Sequence, residues 1–88
     1  MTAFTDLLRD LERVLGPDHP RVLTSRRNLG FFHGKAGAPA TAVTILTEVL
    51  KDQVRLLGPD HRDTEVTRTY LAEWRAALNG PPSSTSER

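Results

Sequence analysis

The pentapeptide Leu-Gly-Pro-Asp-His occurs twice in this chain, at residues 15–19 and again at residues 57–61. A shift of 42 residues superposes the two copies, and it also aligns identical residues outside them: Thr5 with Thr47, Asp10 with Asp52, Arg13 with Arg55, Arg26 with Arg68, and Leu29 with Leu71. A repeat of this length indicates one supersecondary unit that is copied and stacked. Function is therefore expected on a surface shared by neighbouring units, and not in a single catalytic pocket.

Composition excludes several classes of function. The 12 basic and 11 acidic side chains nearly cancel, which gives no electrostatic reason for nucleic acid or an anionic membrane to be a partner. The absence of cysteine excludes disulfides, thiolate metal sites and cysteine nucleophiles. No apolar run approaches the roughly 20 residues of a membrane span. A chain this short buries only about 60 to 65% of its unfolded surface, so we expect a small domain of marginal stability. We also expect it to be cytoplasmic and to hold no cofactor.

The spacing of apolar residues predicts four amphipathic helices, at about residues 3–15, 19–36, 39–57 and 61–79. The first carries its apolar residues at intervals of three and four: Phe4, Leu7, Leu8, Leu11, Val14 and Leu15. Gly16 can take the left-handed conformation that closes a helix, and Pro17 cannot continue one. Residues 1–80 are predicted to form the domain, and residues 81–88 a disordered tail, because that segment is short, polar and has nothing to bury.

The two histidines of the repeated turn allow two interpretations. A metal or acid–base role for His19 and His61 is conceivable, because imidazole titrates near neutrality. Stacked helices are spaced by about 8 to 10 Å, which places equivalent turns too far apart for one zinc ion to bridge. Capping of the following helix by Asp18 or His19 is the favoured reading, with Pro20 in its first turn. No metal site is expected.

The period alone fits HEAT, armadillo and long tetratricopeptide repeats. The residues discriminate better: Leu29-Gly30, then Gly37 and Ala42, match the leucine and small-residue positions of a tetratricopeptide hairpin. The chain resembles the 42-residue tetratricopeptide repeats of kinesin light chains and of actinobacterial regulators, over about residues 3–80. The resemblance implies an all-α stack of antiparallel helical hairpins in the order B-A-B-A. It also implies a protein-binding module that is not an enzyme, and no nucleophile elbow or phosphate loop contradicts this.

The resemblance further implies that the A helices line a peptide-binding groove, in which Asn28 matches an asparagine that contacts the peptide backbone. The candidate groove residues are Thr24, Arg27, Asn28, Phe31, Lys35, Thr69, Tyr70 and Glu73, with Gly34 on the same side of the second helix. Arg27 and Lys35 suit a carboxylate, and Phe31 and Tyr70 supply apolar area. The alternative is a solvated helix face, because two A helices make a shallow groove and Tyr70 interrupts the row of asparagines.

The order B-A-B-A leaves one complete hairpin with half a repeat on either side, so each end helix lacks a neighbour. We expect Phe4, Leu8, Tyr70 and Trp74 to be exposed and to mediate self-association, in a symmetric dimer or head to tail. Arg26 and Arg68 are predicted to pair with acidic residues of an adjacent helix. Two alternatives remain open: a piece of a longer repeat array, or the C-terminal scaffold or sensor of a larger signalling ATPase or transcriptional regulator.

Overall fold

A computed structural model describes residues 2–79, which form α1 (Thr2–Leu15), α2 (Pro20–Lys35), α3 (Pro39–Leu57) and α4 (Arg62–Leu78). No strand occurs within this range, so the predicted all-α class is confirmed. Each helix begins and ends within one residue of its predicted bounds. The tail predicted for residues 81–88 lies outside the described residues.

The two copies of the repeated turn adopt the same backbone conformation. Gly16 and Gly58 have φ of +93° and +99°, which is the left-handed region that favours glycine. His19 and His61 both occupy the N-cap position, and each Nδ1 accepts a hydrogen bond from the backbone N–H two residues later, at 3.1 and 3.0 Å. The histidines therefore cap α2 and α4, as the capping interpretation predicts.

The helices form an open stack and not a closed bundle. α3 packs against both α2 and α4, and α2 also touches α4. α1 contacts α2 along a narrow strip and reaches neither of the other two described helices. The thinnest dimension of the Cα trace is 15 Å, which corresponds to two layers of helices whose axes lie about 10 Å apart. The first and last helices thus leave the two ends of the stack open.

The core lies between α2, α3 and α4. Its fully buried apolar side chains are Val22, Leu23, Ala42, Leu46 and Val49. Gly30 faces α3 at close range, because a methyl group there would come within 3.0 Å of the Leu46 side chain. α2 therefore approaches α3 closely at Gly30, and Ala42, another of the small-residue positions, is fully buried.

Three polar side chains are also fully buried, one on α3 and two on α4. Thr64 donates its hydroxyl to the carbonyl of Gly58 at 2.9 Å, and Thr67 donates to the carbonyl of Asp63 at 3.2 Å. Gln53 differs from them, because neither of its amide atoms has a hydrogen-bond partner among the described residues. A buried amide without a partner reduces stability.

Candidate protein-binding surfaces

All five aromatic side chains of the sequence belong to one connected group, which we call the aromatic cluster: Phe4, Phe31, Phe32, Tyr70 and Trp74. Phe31 is its centre, with ring centroids 4.8 Å from Tyr70, 6.0 Å from Phe32 and 6.4 Å from Trp74. Phe4 adds an edge-on contact to Phe32 at 6.0 Å. The cluster therefore spans α1, α2 and α4 and joins the two A helices.

Gly34 positions the indole of this cluster. Gly34 was expected on the groove side of α2, but it is buried, and a methyl group built on it would overlap the Trp74 ring. Tyr70 and Trp74 are one turn apart on α4, so both rings reach α2 from the same face. Glycine at position 34 is what allows α4 to lie this close to α2.

Two cations lie over rings of the aromatic cluster. The Arg27 guanidinium is 5.8 Å from the Tyr70 centroid, and the Lys35 ammonium is 5.6 Å from the Phe31 centroid. Both distances are within the range of cation–π attraction. Asn28 lies beside them, half-buried, and its Oδ1 accepts a hydrogen bond from Arg27 at 3.4 Å. The structure therefore brings together five of the predicted groove residues.

The other three predicted groove residues lie around this group. Thr69 and Glu73 are exposed on α4. Thr24 is two turns before Phe31 on α2, where it lines a shallow, open depression with Pro20, Arg21 and Ser25. The α2–α4 face therefore carries the half-buried rings of Phe31, Tyr70 and Trp74, and the depression lies apart from them at the start of α2.

The exposed apolar residues at the open end are different from those predicted. Leu8 was expected to be exposed, but it is only 7% exposed. Phe4, Tyr70 and Trp74 are half-buried within the aromatic cluster. Exposed instead are Leu7, at 65%, and Val14, at 75%.

The signal that identifies Leu7 is the repeat itself. Leu7 corresponds to Val49 under the shift of 42 residues, and Val49 is fully buried in α3. α3 lies between two A helices, whereas α1 has only α2 beside it. On α3, the face that corresponds to the Leu7 face of α1 is therefore covered by an A helix.

An ion-pair network joins α2 to α3 through four residues. Arg26 contacts Asp52 at 2.8 Å, and Arg55 bridges Asp52 at 3.2 Å and Asp18 at 3.4 Å. The hydrogen bond from Arg26 holds the pKa of Asp52 below its ordinary value, with a further contribution from Arg55. The ion pair predicted for Arg26 is present.

The ion pair predicted for Arg68 is not formed. Arg68 is the counterpart of Arg26, but it donates a hydrogen bond to the backbone carbonyl of Pro59 at 3.2 Å. No B helix follows α4 within residues 2–79, so Arg68 has no acidic residue in the place that Asp52 occupies beside Arg26.

No group of three or more histidine or acidic side chains between residues 2 and 79 has the arrangement of a metal site. None of the helices there is long and apolar enough to cross a membrane.

Comparison with known proteins finds a similarity that covers just under half of the chain. The profile of the tetratricopeptide repeat matches residues 22–63, which include most of α2, all of α3 and the second turn. No curated protein and no solved structure is significantly similar to the chain. The matched segment and the all-helical architecture show a short tetratricopeptide-like helical repeat. Repeats of this kind are non-catalytic and generally mediate protein–protein interaction.

Proposed function

We propose that this module binds a peptide segment of a partner protein across the face formed by α2 and α4. The observation that carries the proposal is the aromatic cluster with a cation at two of its rings, Arg27 over Tyr70 and Lys35 over Phe31. Aromatic side chains and arginine are enriched at protein interfaces, because they contribute large contact areas with polar groups attached. The similarity to tetratricopeptide repeats supports a protein as the ligand.

The charges on this face indicate the chemistry of the peptide. Lys35 is exposed, and its ammonium, together with the Arg27 guanidinium, favours a carboxylate. The half-buried rings of Phe31 and Tyr70 favour an apolar side chain next to it. A segment with an acidic residue beside a leucine or phenylalanine fits both requirements. Because only two A helices form this face, the peptide lies on an open surface and binds weakly.

The test uses a set of short peptides that pair aspartate or glutamate with leucine or phenylalanine. Binding is followed by the fluorescence of Trp74, which is the sole tryptophan, and by amide chemical shifts. We expect shifts centred on α2 and α4, and weaker binding in Lys35→Glu by about tenfold, since the reversal replaces an attraction with a repulsion. Lys51→Glu is the matched control, because Lys51 is exposed on α3. Equal binding by Lys35→Glu and the wild type would exclude this site.

Self-association through the end helices is a second candidate. It is favoured by Leu7 and Val14, which expose 65% and 75% of their surface on one side of α1. Exposed leucine and valine side chains two turns apart on the same side of an amphipathic helix are typical of an interface. The sedimentation experiment described below tests this candidate separately from peptide binding.

A further inference from the structure

The ion-pair network has a counterpart that is divided between the two ends of the molecule. Each of its members recurs as an identical residue at the shift of 42: Asp18 as Asp60, Arg26 as Arg68, Asp52 as Asp10, and Arg55 as Arg13. Asp10 and Arg13 lie on α1, whereas Asp60 and Arg68 lie in the turn before α4 and on α4 itself. One chain therefore cannot join these four residues as it joins the first four.

The interactions that these four residues make within one chain are weak. Asp10 and Arg13 pair with each other at 2.8 Å, but both side chains are more than half exposed, and such surface pairs contribute little. Arg68 uses the backbone carbonyl of Pro59. Asp60 is exposed and makes no ion pair among residues 2–79. All four charges are available to another molecule at little cost.

We propose that a second copy of this chain docks its α1 on the outer face of α4, in the relation that α3 has to α2. In this arrangement Asp10 of one copy pairs with Arg68 of the other, and Arg13 pairs with Asp60. The inference rests on the proposed self-association and gives it an orientation, head to tail. It does not depend on the peptide site.

The apolar residues follow the same register. Phe4 takes the place of Leu46 and Leu7 the place of Val49, two side chains that are fully buried against the neighbouring helices of the stack. On α4, Ala72 takes the place of Gly30, which Leu46 approaches closely. Ala72 is exposed and small, so a helix can approach it. The contact thus covers the exposed Leu7.

One residue on the outer face of α4 differs in chemistry from its counterpart on α2, and it determines the strength of the contact. Glu65 stands where α2 has the fully buried Leu23, and its carboxylate is exposed on α4. Docking costs part of its hydration. The association is therefore weak, reversible and sensitive to salt, and because the two surfaces differ it adds copies end to end.

Charge reversal tests the orientation directly. Sedimentation velocity of the full chain, at increasing concentration and low ionic strength, is expected to show a mass that rises beyond the dimer. Asp10→Arg and Arg68→Asp are each expected to lower the association constant by about tenfold, because each places like charges opposite one another. An equal mixture of the two variants is expected to recover association, since the arginine introduced in one variant then faces the aspartate introduced in the other. Arg9→Asp, an exposed reversal elsewhere on α1, is the control.

Two other outcomes would contradict the proposal. The proposal would be overturned if both the wild type and Glu65→Leu stay monomeric at every concentration. Glu65→Leu restores the leucine that α2 has at the equivalent position, so it is expected to strengthen the contact. Association that stops at a dimer and is unchanged by Arg68→Asp would show a symmetric contact through α1. Lys35→Glu is expected to leave sedimentation unchanged, and Arg68→Asp to leave peptide binding unchanged, so the peptide site and the end contact fail separately.

Discussion

The side chain of Gln53 is fully buried in α3 without a hydrogen-bond partner among the described residues. Its counterpart in the first copy is Leu11, so the repeat itself accepts an apolar side chain of similar size at this position. Sequence periodicity could not reveal that the Gln53 amide lacks a partner, because a glutamine on the apolar side of a helix can also form hydrogen bonds. Only the tertiary packing around α3 shows that the amide is buried without a partner.

We expect Gln53→Leu to raise the free energy of unfolding by about 1–2 kcal/mol, because it removes a buried polar group without a partner and keeps the volume. Urea unfolding followed by circular dichroism measures the change. Gln53→Glu serves as the opposite control and is expected to destabilise, since it buries a carboxylate. A loss of stability in Gln53→Leu would show that the amide does have a partner.

Gly34 offers a second test at the residue scale. Alanine ordinarily stabilises the interior of a helix relative to glycine by about 1 kcal/mol. Here the added methyl group overlaps the Trp74 indole, and overpacking of this kind costs about 1–3 kcal/mol. We therefore expect Gly34→Ala to lower the melting temperature and to change the fluorescence of Trp74. A higher melting temperature with unchanged fluorescence would contradict the contact.

At the scale of the helices, the sequence predicted the bounds well, because the stop signals have a local cause. Gly16 and Gly58 need positive φ, and Pro17 and Pro59 cannot continue a helix, so the ends depend on nearest neighbours alone. These ends require no knowledge of how the helices cross. That Arg27, Phe31 and Tyr70 lie on one surface was instead implied by the resemblance to tetratricopeptide repeats.

Local signals could not predict which side of a helix is covered by its neighbour. Leu7 and Leu8 are both on the apolar side of α1, yet the first is 65% exposed and the second 7% exposed. Neighbouring positions on a helix differ by about 100° in direction. Which one is buried depends on the position of α2, and hence on the tertiary packing. The contact between Gly34 and Trp74 escaped prediction for the same reason.

The contact between α2 and α3 should respond to pH through Asp52. Its pKa is lowered in the folded state, chiefly by the hydrogen bond from Arg26, so the folded state binds the proton less readily than the unfolded state does. The resulting stabilisation is present above the unfolded pKa of about 3.9 and is lost as the pH falls through the folded value. Wild-type stability should therefore decrease more steeply in acid than that of Asp52→Asn.

The matched measurement is a double-mutant cycle with Arg26→Gln and Asp52→Asn. At neutral pH we expect a coupling of about 1 kcal/mol or less, since the pair is partly exposed. The coupling should disappear in acid, where Asp52 is protonated in both states. A coupling that is independent of pH would show that the interaction between the two positions is not ionic.

For the whole molecule, the arrangement of helices makes stability uneven. α3 is enclosed between α2 and α4, whereas α1 contacts α2 alone and leaves Leu7 and Val14 exposed. In a stack, each element is stabilised by its immediate neighbours, so an end helix with one neighbour opens most readily. Any molecule that covers the open end should stabilise α1 more than the rest of the chain.

Native-state hydrogen exchange of the backbone amides, at low and high protein concentration, tests this open stack most directly. At low concentration we expect the α1 amides to exchange by local opening, well before those of α3, and at high concentration to gain protection as a second copy covers them. α1 amides that are as slow as those of α3 in the dilute protein would contradict the account, because they would show that α1 is enclosed within its own chain.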